Sequence, residues 1–106
     1  MVDAPHTPVA WVIAARDDLR EIHKFVARDS PHYAELLVDQ LFAAVDRLER
    51  FPLSGRVVPE LERDDFREII HGNYRIVYRV APPGVRILTV FHAAHLLPRD
   101  LERRDS

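Results

Sequence analysis

Residues 66–80 read Phe66-Arg67-Glu68-Ile69-Ile70-His71-Gly72-Asn73-Tyr74-Arg75-Ile76-Val77-Tyr78-Arg79-Val80. Two β-prone runs flank a Gly-Asn pair, the strongest short-range hairpin signal in the chain. Gly72 takes the positive φ of a tight turn without steric cost, and Asn73 tolerates it better than most residues. Arg67, Arg75 and Arg79 sit among β-branched and aromatic side chains, so this hairpin carries charge where a plain core hairpin would not.

Working outward, Val9–Ile13 reads as a first strand, and the next residues open a helix at Ala14 with Asp17 and Asp18 in its first turn. Leu19, Ile22 and Val26 form its buried stripe. Asp29-Ser30-Pro31 ends this helix and starts another, with Ser30 as N-cap and Pro31 as first helical residue. Ala34, Leu37, Leu41, Val45 and Leu48 make the stripe of the second helix, expected to be the longest element and to end near Phe51-Pro52. The two helices form an αα-hairpin. Leu53–Asp65 reads as a loop of thirteen residues, long enough to require that it pack on the core or serve a function. After the arginine hairpin, Ala81–Gly84 makes a turn. Val85–His92 follows as a strand whose run Ile87–Phe91 is apolar on both faces, as in a central strand.

The order β-α-α-β-β-β predicts one α+β domain over residues 1–106, with tails at 1–8 and 98–106. A helical hairpin packs on a small, mainly antiparallel four-stranded sheet, whose other face is left open to a partner.

At 106 residues, with 47% hydrophobic and 30% charged residues, the chain is globular and carries one modest core. Without cysteine it has neither disulfides nor thiolate metal sites. No apolar run approaches the ~18 residues of a membrane span. Met1–Pro8 has no basic and apolar leader pattern, so the expectation is a soluble cytoplasmic protein. The net charge of −2 hides an asymmetry: residues 1–53 hold six Lys and Arg against nine Asp and Glu, while residues 66–97 hold four Arg against one Glu. Such a local basic surface suits a specific anionic partner better than a long nucleic-acid track.

Several motifs resemble those of the RelE/ParE toxin superfamily. They are Ser30-Pro31 with Ala34, the pattern L..FP..GR..PE from Leu48 to Glu60, FREI and YRIVYRV within Phe66–Val80, and IL.V.H from Ile87 to His92. The resemblance spans residues 9–97. It implies the toxin of a type II toxin–antitoxin module of the plasmid-stabilisation type, neutralised by a cognate antitoxin whose C-terminal segment wraps it. No cofactor is expected. RelE-like members cut mRNA on the ribosome, whereas ParE-like members inhibit DNA gyrase.

Cleavage by 2′-OH attack requires a proton acceptor, a cation for the phosphorane and an acid for the leaving oxygen. By resemblance, Arg75 matches the catalytic arginine of the nucleases and Arg67 a basic position on the preceding strand. A second basic position falls on Ile69, and the arginine and tyrosine that follow the last strand in those nucleases are absent. The catalytic set of a ribonuclease would therefore be Arg67, Arg75 and His92, with His95 as a further acid or base. For a binding toxin, Arg67, Arg75, Arg79, His92 and His95 are the expected contacts to target or antitoxin. His6, His23 and His32 read as surface histidines, and no HxxxH or HExxH spacing supports a metal. The expectation is a gyrase-binding toxin; the alternatives are a ribosome-dependent endoribonuclease and a degenerate toxin that only forms an antitoxin complex.

One geometric condition separates these readings. With a two-residue loop, Glu68, Arg75 and Arg79 share one face and Arg67, Ile69, Ile76 and Tyr78 the other. Arg67 and Arg75 meet at one phosphate only if a bulge intervenes.

Overall fold

The computed structural model describes residues 6–105; the first five residues of the expected N-terminal tail, and with them most of the leader reading, lie outside. The elements are β1 (Val9–Trp11), α1 (Ile13–Ala27), α2 (Pro31–Ala43), β2 (Arg56–Val57), β3 (Phe66–His71), β4 (Tyr74–Ala81), β5 (Gly84–His92) and α3 (Leu101–Arg104). The helical hairpin lies on one sheet, as expected, but the sheet has five strands in the order β1-β5-β4-β3-β2. The fifth comes from the thirteen-residue loop, where Arg56 pairs with Glu68 and Val57 with Arg67. Only β1 runs parallel to its neighbour β5, so the sheet is mainly antiparallel and β5 is an interior strand.

Local chemistry explains most element boundaries. Ser30 accepts a hydrogen bond from the Tyr33 amide at 3.2 Å, and Pro31 occupies the first helical position, which satisfies an otherwise orphan donor. The first helix departs from expectation. It starts at Ile13, one residue earlier, which moves Asp17 and Asp18 out of the first turn. The second helix stops at Ala43, and the chain tightens into a 3-10 turn at Asp46–Glu49. It is therefore the shorter of the two, yet Val45 and Leu48 stay buried, because the tightened turn carries their stripe on to the sheet.

The hairpin register is that of a two-residue loop: His71 opposes Tyr74, Ile70 opposes Arg75, and the pairing runs unbroken to Phe66 and Arg79. In the turn only Gly72 takes positive φ, at 57°, the demand that a type II′ turn makes of its first central residue. The one register shift lies on the other side of β4, at Val77/Tyr78 against β5.

The sheet buries both faces. Ile69, Ile76, Tyr78, Ile87 and Val90 meet Leu19, Leu37, Leu41 and Leu48 of the helix side. On the opposite face Phe66, Val77, Leu88 and Phe91 form a second cluster with Val58 and Leu101. That face was expected to lie open to a partner. Instead the loop before β3 and the C-terminal turn cover much of it, because Phe66, Val77, Leu88 and Phe91 supply enough apolar surface to hold them.

Tyr78 locks the loop to the sheet. Its buried hydroxyl donates to the Pro52 carbonyl at 2.8 Å and accepts from the Gly55 amide at 2.9 Å. A Cβ on Gly55 would lie 2.6 Å from both that hydroxyl and the Glu68 carbonyl. Gly55→Ala is therefore expected to destabilise the fold by roughly 1–3 kcal/mol through overpacking. Tyr78→Phe, which orphans a buried amide, should lose about 1–3 kcal/mol. Urea denaturation of the two variants checks both values.

Candidate functional site

The register distributes the arginines as the two-residue loop demands. Arg75 and Arg79 share a face with Glu68, and Arg67 lies on the helix side with Tyr78. The bulge that would bring Arg67 and Arg75 together is absent from the β3–β4 pairing. His92 opposes Tyr74 across β4 and β5, which places it on the face opposite Arg75. It shares a face with Arg67, but the two stand four residues apart along the strands and two strands apart across the sheet. Those steps amount to roughly 13 Å and about 10 Å. The catalytic set Arg67, Arg75 and His92 does not converge on one point.

Each of these groups is also engaged within the chain. Arg67 donates to the carbonyls of Asp64, Leu53 and Gly55 at 3.0–3.2 Å, so it braces the loop before β3. His92 accepts the Ala94 amide through Nδ1 at 3.0 Å, and its carbonyl takes the His95 amide. These bonds hold the turn that leaves β5. The His92 ring meets Tyr74 edge-on at 5.3 Å and His95 at 5.8 Å.

Arg75 is the centre of a buried charge network. Its Nε donates to Glu68 at 2.7 Å, and its two terminal nitrogens donate to the two oxygens of Glu60 at 2.8 Å each. Its carbon Cζ stands 5.1 Å from the centroid of the Phe91 ring. Glu68 has no exposed side-chain surface and also accepts from Arg56 Nε at 2.6 Å. The bonds to Glu60 raise the Arg75 pKa above even its ordinary range, so its charge is fixed. Arg79 donates to Asp65 and Asp105, and Arg86 donates to Asp105 as well. A third group seals the edge of β5 beyond the end of β1. Asp18 accepts from the Thr89 hydroxyl, the Val90 amide and Arg104, while Arg104 also donates to the Leu88 carbonyl.

Sequence reasoning did not assign roles to Glu60, Asp105 or Arg104, and read Asp18 only as an acidic residue of the first helical turn. Glu60 stood inside a quoted motif, but nothing local reveals that it folds back fifteen positions on to Arg75. Asp105 and Arg104 lay in the stretch expected to be a C-terminal tail; instead it forms a helical turn at Leu101–Arg104 and docks.

An accessible apolar surface lies on the helix side. Ile22, Phe25, Tyr74, Phe91, His92 and His95 line a groove of about 530 Å³ between α1 and the end of β5. Phe25, Tyr33 and Leu36 of the helical hairpin are exposed. Among the described residues no group of three or more His, Asp or Glu side chains is placed to hold a metal ion, and no helix is long and apolar enough to cross a membrane.

Comparison with known proteins places this arrangement. The ParE toxin of type II toxin–antitoxin systems, parDE, matches residues 9–97. The chain belongs to the ParE toxin family. A Sinorhizobium fredii protein named "Putative toxin Y4kP" is 35% identical over 95 residues, covering 88% of this chain and 95% of its own length. The fold recurs in the chromosomal ParDE toxin–antitoxin system of P. aeruginosa, with a TM-score of 0.70 at 21% identity over 84% of this chain and 98% of that one. It recurs also in the RelBE2 toxin–antitoxin complex of Mycobacterium tuberculosis, with a TM-score of 0.56 at 28% identity over 89% and 98%. This ParE-family chain therefore carries the RelE/ParE fold with Arg75, Arg79 and Arg86 neutralised from within.

The network gives the fold an acid limit. Arg75 holds the Glu60 carboxyl below its ordinary 4.5. At Asp65 and Asp105 burial opposes ionisation, but the bonds from Arg63 and Arg79, and from Arg86 and Arg79, outweigh it and depress both below 3.8. Groups depressed on folding contribute stability that is complete above their unfolded pKa values and is lost as pH falls through the folded ones. Urea midpoints should hold from pH 7 to about 5 and fall below about pH 4. Asp105→Asn should lower the midpoint at pH 7 and flatten that acid loss.

Proposed function

We propose that this ParE-family toxin arrests growth by binding DNA gyrase, without cutting RNA, and that a cognate antitoxin neutralises it by covering the helical hairpin. The observation that carries the reading is the separation of Arg67, Arg75 and His92 on the sheet. General acid–base cleavage of a phosphodiester needs its acid, base and cation around one phosphate. Here the groups lie on two faces, and each is occupied by a partner from its own chain.

A binding mechanism asks for something else, an accessible apolar surface held on a rigid frame. Phe25, Tyr33 and Leu36 supply it on the helix side, beside the groove that ends at His92 and His95. An amphipathic partner helix fits such a surface by burying its apolar face. The similar solved structures are a ParDE toxin–antitoxin system and a RelBE2 toxin–antitoxin complex, which supports a protein partner for this chain as well. Of the five contact residues expected from sequence, His92 and His95 border this surface, whereas Arg67, Arg75 and Arg79 act first as internal braces.

In a supercoiling assay, the purified chain should inhibit gyrase and the antitoxin should relieve it. Normal supercoiling at a large molar excess of toxin would remove the gyrase reading. Primer extension on ribosome-bound message should show no new cleavage sites on induction. Arg75→Ala is a poor probe here, since stripping one partner from the buried Glu68 should destabilise the fold by roughly 3–5 kcal/mol. Phe25→Asp is the cleaner variant: it should fold normally and weaken antitoxin binding by about tenfold or more, as loss of a large apolar contact does, measured by calorimetry.

A further inference from the structure

The guanidinium of Arg75 is oriented twice over. On its inner side Nε donates to Glu68 at 2.7 Å, and Nη2 stands 2.6 Å from the same oxygen; the Phe91 ring packs against it at 5.1 Å. On its outer side both terminal nitrogens reach both oxygens of Glu60. The outer contact is the planar two-point match that a guanidinium makes with any carboxylate or phosphate. Glu68 and Phe91 alone suffice to aim the fork, since both belong to strands that pair on either side of β4.

Glu60 is held differently from Glu68. Its side chain is 41% exposed, against none for Glu68. It sits in the loop between β2 and β3, where nearby Glu62 takes a left-handed φ of 52°, a conformation that costs a non-glycine residue free energy. Glu60 also borders an open groove of about 500 Å³ that includes Arg63 and Arg99. Arg63 is neutralised by Asp65 and Glu102, whereas Arg99 makes no ion pair among the described residues. Withdrawing Glu60 would leave Arg56 and Arg75 facing Glu68 alone, a local excess of one positive charge where Glu60 now lies.

We propose that Glu60 is an internal ligand of an oxyanion site on Arg75, which the loop before β3 exchanges for a phosphate or carboxylate group from outside the chain. The site holds whichever target the toxin has, because it depends only on the Arg75 fork and the tether that carries Glu60. In the resting chain the tethered carboxylate competes at an effective concentration of about the millimolar range or above, so a free anion enters only weakly. An anion presented by a bound macromolecule competes on equal terms.

The test compares the native chain with Glu60→Ala and Glu60→Gln, titrated with inorganic phosphate and, separately, acetate, against chloride at equal ionic strength. Thermal midpoints and the nitrogen-15 resonances of the Arg75 guanidinium are read together. In the variants, phosphate or acetate should raise the midpoint saturably and move the Arg75 resonances; which anion does so identifies the preferred source. The native chain should respond at least about tenfold more weakly, as expected when a tethered group occupies the site. Equal responses in native chain and variants would overturn the proposal, as would anion binding that leaves Arg75 unmoved. If Glu60→Ala does not fold in chloride, Glu60→Gln decides alone. Folded variants with no anion-specific response would reduce Glu60 to a structural ion-pair partner and end the proposal.

Discussion

Glu68 carries a carboxylate with no exposed surface, and the surrounding structure is built to compensate it. Removing such a charge from water costs several kcal/mol, which only close, well-formed partners recover. Arg56 approaches from the edge strand β2 and Arg75 from β4, so one buried charge ties three adjacent strands together. Arg75 in turn fixes Glu60, and with it the loop that Tyr78 anchors from the other face. The second apolar cluster, with Val58 and Phe66 at its centre, closes under this network. Every buried side-chain nitrogen and oxygen among the described residues finds a partner, the condition under which a polar network specifies a fold and does not weaken it.

The same logic governs the C-terminal end. A short β1 leaves the edge of β5 bare past Ile87, and an unpaired edge invites association with other strands. Asp18 and Arg104 satisfy the Val90 amide and the Leu88 carbonyl there. Asp105 then gathers Arg79 and Arg86, so that a four-residue helix with one buried leucine becomes a fixed part of the sheet's covered face. The basic asymmetry of residues 66–97 is thereby spent largely inside the molecule. Aromatic and aliphatic side chains of the helices supply an accessible apolar surface.

Much of the fold was legible because its signals are local. Ser30-Pro31 states a helix start in two residues, Gly72-Asn73 states a hairpin, and the period of Leu37, Leu41 and Leu48 states which side is buried. The register of the hairpin followed from loop length alone, and with it the separation of Arg67 from Arg75. The fifth strand was not legible: Arg56-Val57 is too short to show periodicity and exists only because β3 offers an edge and Glu68 a charge. The candidate site was half legible. Arg75 stood out, but its partners Glu60 and Glu68 lie fifteen and seven positions away and meet it only after strands pair.

By itself, then, the sequence determined the α+β class, the order and type of the main elements, and the face on which each strand arginine lies. These depend on dihedral preference and side-chain period, which act over a few residues. Tertiary structure alone decided that the arginines are braces, that much of the far face of the sheet is covered, and that an open apolar surface lies on the helix side. Those outcomes turn on which carboxylates come within hydrogen-bonding distance of which guanidinium groups. That distance is set by chain closure over 14 residues between Arg79 and Asp65 and 86 between Arg104 and Asp18, and no local pattern encodes it.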